Sequence, residues 1–306
     1  MSAQIPGQGS LLSGPEGPNE EDGTQAMSTQ DDEDLQGRVG PFRTYVERVR
    51  PDGVIARWDS RRHRKHQGAL TVGSTWWAPR ARGWWIAALF AVGSLLFALG
   101  AVPGYASAVG ARWDAATFFI GSLFFTAAGF LTYREAVDAG PRTPGSAHRH
   151  FFVFQPHRID WWATAIQLAG TLWFNISTGN ALREDLTAQA AHQHVWRPDA
   201  FGSIAFLVAS ALAWFEVCHG WTAWRPRSLS WWITLANLVG SVAFGVSAVA
   251  GYINPATGQL HNAERSNLGT FVGAVCFLVG ALLLMPERTE DSAAPAPVAT
   301  PGAGHT

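Results

Sequence analysis

The chain has 306 residues of which only 15% are charged, against about 25% in a typical soluble domain, and this deficit argues against an ordinary cytosolic enzyme. A formal net charge of −1 excludes a strongly basic nucleic-acid binder as a whole-chain description, and two cysteines, Cys218 and Cys276, do not make a disulfide scaffold. The 47% apolar fraction and mean hydropathy of +0.04 average over polar ends and strongly apolar runs.

Residues 1–37 hold eight Asp or Glu and no Lys or Arg. Such a segment cannot bury enough apolar surface to offset the entropy of ordering, so 1–40 is expected to be a disordered acidic cytoplasmic tail. Residues 41–76 form a basic juxtamembrane segment in which Phe42, Tyr45, Val46 and Trp58 alternate with basic residues. One or two short helices at the membrane surface are expected there, with Arg61, Arg62, Arg64 and Lys65 drawn to anionic headgroups. No recognition fold accompanies this cluster, which disfavours nucleic acid as a partner.

Six apolar runs follow, at 84–102, 116–133, 161–177, 201–217, 231–252 and 268–285. Each is near the length a helix needs to cross about 30 Å of hydrocarbon. They lack both the polar face of a soluble helix and the alternation of a barrel strand. The fold expected is therefore an all-α integral membrane protein with six transmembrane helices. Its hairpins occupy 77–140, 154–220 and 221–289, with a cytoplasmic linker at 141–153 and a disordered cytoplasmic tail at 290–306. Of the basic residues outside the runs, eighteen fall on the side of the two termini and four on the other. This bias predicts a prokaryotic-type plasma-membrane protein with both termini cytoplasmic. No signal peptide is apparent, because the first apolar run starts late.

The first helices of the three hairpins align without a gap as WWIAALFAVGSLLF (84–97), WWATAIQLAGTLWF (161–174) and WWITLANLVGSVAF (231–244). Pro79, Pro156 and Pro226 each lie five residues before the first Trp, and Trp77, Phe154 and Trp224 seven before it. In the second helices Gly121, Gly202 and Gly273 are followed four residues later by Phe125, Phe206 and Phe277, and fourteen later by Glu135, Glu216 and Glu287. Agreement at so many positions is a repeat signal. Because each unit crosses twice, the three are parallel repeats, consistent with a pseudo-threefold bundle having either a filled centre or a narrow central path. The Gly-Ser and Gly-Thr pairs allow close helix approach. Trp84, Trp85, Trp161, Trp162, Trp231 and Trp232 are expected to be interfacial anchors whose indoles bond headgroup or water acceptors.

The stretch LGTFVGAVCFLVGALLLMP (268–286) resembles the second helix of the YrhK-like family, and LANLVGSVAF (235–244) is similar to its first. The resemblance covers about 231–287 and extends more weakly to the other two units. It implies two-helix membrane domains, here in three diverged copies, and carries no catalytic residues with it.

Polar candidates remain. Gln167 and Asn237 occupy equivalent positions, six after the first Trp, where the first unit has Phe90. They can bond between helices or contact a solute. Glu135, Glu216 and Glu287 can pair with nearby Arg, or form a carboxylate ring that attracts cations. Asn175 is expected to cap a helix or bond a neighbour, and Cys276 to be a packing residue. His192 and His194 lack a third metal ligand, and adjacent Cys218 and His219 do not define a nucleophile and base. No catalytic residue, metal or cofactor is therefore expected, and enzyme activity is disfavoured. The leading reading is a structural or regulatory membrane protein of unknown biochemical activity. The alternative is a small-solute or cation carrier or channel using polar residues between the repeats. Membrane lipids are the expected partners, with a second copy or another membrane protein also open.

Overall fold

The computed structural model describes residues 35–39, 41–49, 55–66, 76–139 and 153–290. The expected linker core at 141–152, the acidic segment up to 34 and the tail from 291 lie outside the described residues. Three strands come first: β1 (Leu35–Val39), β2 (Phe42–Val49) and β3 (Ile55–Asp59), forming an antiparallel sheet in the order β1-β2-β3. β2 pairs with β3 from Tyr45 opposite Asp59 to Val49 opposite Ile55. The end of the segment expected to be disordered thus carries a strand, and among the described residues of 41–76 two strands, at 42–49 and 55–59, precede one short helix, α1 (Ser60–His66). Alternating β-branched and aromatic residues in FRTYVERV favour a strand, and Thr44 within it is fully buried.

The remaining architecture is helical. Six long helices, α2 (Arg82–Gly100), α4 (Ala111–Asp138), α5 (Ile159–Ala181), α7 (Arg197–Cys218), α8 (Leu229–Ala250) and α9 (Ala263–Glu290), contain the six apolar runs to within a few residues. Short α3 (Tyr105–Val109) lies between α2 and α4. α6 (Ala188–Ala191) and one π turn (His192–Trp196) run directly into α7. Among the described residues five helical stretches are long and apolar enough to cross a bilayer, so this is a helical, multi-pass membrane protein. The helix outside that set is α5, which is 23 residues long but carries Asp160, Gln167, Asn175 and Asn180.

Each long helix packs on the next along the chain, and α9 closes on α2, so the six make a ring. The hairpins are antiparallel: Gly93 of α2 faces Phe125 of α4 while Gly100 faces Phe118. At Gly93, Gly170, Gly240 and Gly273 an added Cβ would lie 3.1 Å or less from atoms of the facing helix. Only glycine permits that approach, which supplies van der Waals contact where lipid offers no hydrophobic driving force.

The centre is filled by Phe97, Phe125, Phe174, Phe206, Phe244 and Phe277, one from each long helix. Phe97, Phe174 and Phe244 form a triangle with ring centroids 6.0–6.4 Å apart. Phe125, Phe206 and Phe277 form a second, at 5.6–6.2 Å. Contacts such as Phe174 to Phe206 at 5.2 Å join the two. Most of these pairs are edge-on, the arrangement favoured by the ring quadrupole. Replacing Phe206 with alanine is expected to cost about 3–5 kcal/mol through lost contacts and the cavity left behind. A melting temperature within a degree or two of the parent would contradict this.

Small hydroxyl groups fasten the seams outside the aromatic centre. Ser122 meets Thr178 at 3.0 Å, Ser210 meets Ser241 at 2.7 Å, and Ser247 meets Thr270 at 2.7 Å. Asn175 donates to Thr126 at 2.8 Å, the neighbour bond expected of it.

Candidate functional site

At one end of the ring the first helices of the hairpins begin and the second helices finish. Here the anchoring Trp pairs have acceptors of a kind the sequence reading did not anticipate. Trp84, Trp161 and Trp231 each donate Nε1–H to the backbone carbonyl eight residues earlier, at 2.9, 2.6 and 2.8 Å. Trp85, Trp162 and Trp232 donate to the carbonyls of Pro79, Pro156 and Pro226, at 2.8, 3.0 and 2.9 Å. The indoles thus fix the turn leading into their own helix. Trp77, Phe154 and Trp224 stack edge-on against the first Trp at 5.0–5.1 Å. Trp161 and Trp231 are buried, while Trp85 and Trp232 keep exposed faces suited to an interface.

Glu135, Glu216 and Glu287 lie in the last turns of α4, α7 and α9. The partial negative charge of a helix C-terminus disfavours carboxylates there. The compensating charge comes from α1, which sits among all three. Lys65 Nζ donates to Glu135 Oε2 at 2.9 Å, and Arg61 donates to both oxygens of Glu287 at 2.8 and 3.2 Å. Arg64 Nη2 reaches Glu216 Oε2 at 3.5 Å, and its Nη1 lies 3.5 Å from Asp160 Oδ2. Ser60 adds a 2.7 Å bond to Glu216, and Ser230 a 2.5 Å bond to Glu287. Arg158 pairs with Asp160 and donates to the Ala136 carbonyl at 2.9 Å, tying α5 to the end of α4.

These groups are withdrawn from solvent: Asp160 is 0%, Glu216 2%, Glu287 2% and Arg64 5% exposed. Burial opposes the charge on Arg64, but Glu216, Asp160, Glu135 and Glu287 outweigh it and hold the guanidinium pKa above the ordinary arginine value. Arg64 Nε and Nη1 nevertheless make no hydrogen bond.

Between α1 and the Phe125–Phe206–Phe277 triangle lies a cavity of about 90 Å³. Gln167 and Asn237 both line it, together with Arg64, Glu216, Phe90 and Phe277. The sequence candidates therefore divide into two adjoining layers: three glutamates around α1, and two amides beyond them. No protein-family model, curated protein or solved structure matches the chain. The reading of the site accordingly rests on its own geometry.

Sequence reasoning missed Asp160, Arg158, Ser60 and Ser230, and treated Arg61, Arg64 and Lys65 only as membrane-surface charges. Their spacing of three and four residues, which places them on one helical face, is the signal that was present. At the opposite end His192 bonds the Ile253 carbonyl at 2.7 Å through Nδ1 and stacks on Trp196 at 4.8 Å. Among the described residues no three His, Cys, Asp or Glu side chains group in a way that could hold a metal ion. Cys218 and Cys276 are free thiols.

Proposed function

We propose that the protein is a structural or regulatory membrane component that holds its own basic N-terminal segment in a ring of carboxylates. One observation carries this reading: Arg61, Arg64 and Lys65 of a single short helix each meet a different glutamate, contributed by three different long helices. In this reading all six long helices cross a plasma membrane. At about 1.5 Å per residue, α5 is long enough to do so. The three hairpins are parallel repeats around a pseudo-threefold axis, as the matching positions of the Trp pairs, glycines, phenylalanines and glutamates support. The YrhK-like resemblance fits a two-helix unit, and the basic-residue bias favours cytoplasmic termini. The same basic residues can be attracted by anionic headgroups at that surface. Membrane lipid and the glutamates then compete for α1, which gives a docked and a released state.

The test uses Ser60→Cys in a chain whose natural thiols are removed by Cys218→Ser and Cys276→Ala. In vesicles exposing the cytoplasmic face, a membrane-impermeant maleimide should label the introduced thiol slowly, and much faster once Arg61, Arg64 and Lys65 are all alanine. Equal, rapid labelling in both would refute docking; labelling only from the other face would overturn the orientation.

A second reading, a carrier or channel for a small solute or cation, draws support from the cavity and its two amides. Phe277 of the aromatic centre and the basic residues of α1 both line that space, so flux along the ring axis requires both to move. Ion flux into proteoliposomes should fall when Glu135, Glu216 and Glu287 are changed to Gln. Unchanged flux removes the carboxylates from any transport role.

A further inference from the structure

We propose that the cavity behind α1 binds a small neutral solute bearing an amide or carbonyl group. Arg64 is 5% exposed, lines the cavity, and has Nε and Nη1 without hydrogen-bond partners. Buried donors of a charged group left unmet are costly, so an acceptor belongs beside them. The amides of Gln167 and Asn237 line the same space and make no side-chain hydrogen bond with other described residues. Each offers both donors and an acceptor. The hydroxyls of Thr164 and Thr234 donate to their own helix backbone, at 2.8 and 2.9 Å, which leaves acceptor capacity on both oxygens.

Charge decides the class of ligand. Arg61, Arg64, Lys65 and Arg158 are matched in number by Glu135, Asp160, Glu216 and Glu287. An incoming anion would meet Glu216 and three cations that are each already paired with a carboxylate, and a cation would meet Arg64. Either would also lose its hydration without a free counter-charge. A neutral molecule with one good acceptor and one donor avoids both penalties. Ile86, Phe90 and Leu284 supply an apolar wall for its hydrocarbon part. A volume of about 90 Å³ accommodates a few waters or a solute of about four or five heavy atoms.

The inference rests on α1 being docked, since α1 supplies Arg64. The full-length protein in nanodiscs is probed by saturation-transfer NMR with acetamide, acetate and methylammonium, three solutes of similar size and different charge. Acetamide should receive saturation, and the two ions about tenfold less. Asn237→Leu and Gln167→Leu, which keep approximate volume, should each weaken the acetamide effect by about tenfold, the worth of a good hydrogen bond. If either variant fails to fold, the three-solute comparison on the parent protein still decides. No acetamide signal, an equal signal from the ions, or an unchanged signal in both leucine variants would overturn the site and leave the cavity to water. A protected thiol at position 60 with no acetamide signal sinks this inference alone; a freely reactive thiol there, with the basic residues of α1 intact, sinks the docking reading and the site with it.

Discussion

Arg64→Ala is expected to release α1 and to lower the melting temperature by several degrees. The substitution removes the guanidinium from Glu216 and Asp160, leaving Glu216 with Ser60 and Asp160 with Arg158. Removing one partner of a buried ion pair costs about 3–5 kcal/mol when the other charge stays buried. Here an escape exists, because α1 can undock and let water reach the carboxylates. The measured loss is then capped by the free energy that holds α1 in place. For a helical core of this size, about 2–4 °C is lost per kcal/mol. The double variant Arg64→Ala/Glu216→Gln should recover part of the loss, since no unpaired carboxylate remains at that position. Lys65→Ala should do less, because Lys65 engages Glu135 alone. An Arg64→Ala protein that melts like the parent, and that still protects a thiol introduced by Ser60→Cys, would show that electrostatics does not hold the helix.

Gly273→Val is expected to disrupt the α8–α9 seam. A Cβ at Gly273 would sit 2.5 Å from Cδ1 of Phe244 and 3.0 Å from the Gly240 carbonyl oxygen. The ring cannot swing away freely, because it packs against Phe97, Phe174 and Phe277. The carbonyl belongs to the helix itself, so the two helices must separate. Overpacking costs about 1–3 kcal/mol where side chains can shift, and a backbone clash puts this site at the upper end or beyond. Gly245, on α8, is the control: nothing lies within 4 Å of a Cβ placed there. Gly245→Ala should be neutral or stabilising by up to about 1 kcal/mol through helix propensity, while Gly273→Ala should be destabilising. Equal melting temperatures for the two alanine variants would refute the close-approach argument.

The helical architecture is legible in the sequence because its determinants are local. Apolar length marks the long helices, and a Gly four residues before a Phe recurs in all six, but that these rings meet at the centre was not read from the spacing. Asp160 and the polar positions after it are why α5 reads less clearly as a span than its neighbours. The glutamates are visible as a pattern but their partners are not. The charges that hold them lie 70 to 226 residues away along the chain, in a segment whose mixture of basic and apolar residues suits a membrane surface equally well. The strands at 42–49 and 55–59 have a different cause. Tyr45, Val46 and Val49 interleaved with charges suit a surface helix, whereas strand pairing from β1 to β3 decides the backbone there. Such pairing is a tertiary fact that no single strand carries.

The two phenylalanine triangles bear on how the chain can be assembled and altered. Every triangle draws one ring from each hairpin, so no hairpin owns a core and none can be removed without opening both triangles. In a linear array of repeats each unit leans only on its neighbours, and units can be gained or lost at the ends. Here the last helix returns to the first, and the count is set by geometry. A fragment of two hairpins would leave four rings facing an open side, and a fourth hairpin would have no vacant corner to occupy. A closed figure of this kind leaves room for change by substitution inside it or by segments added outside it.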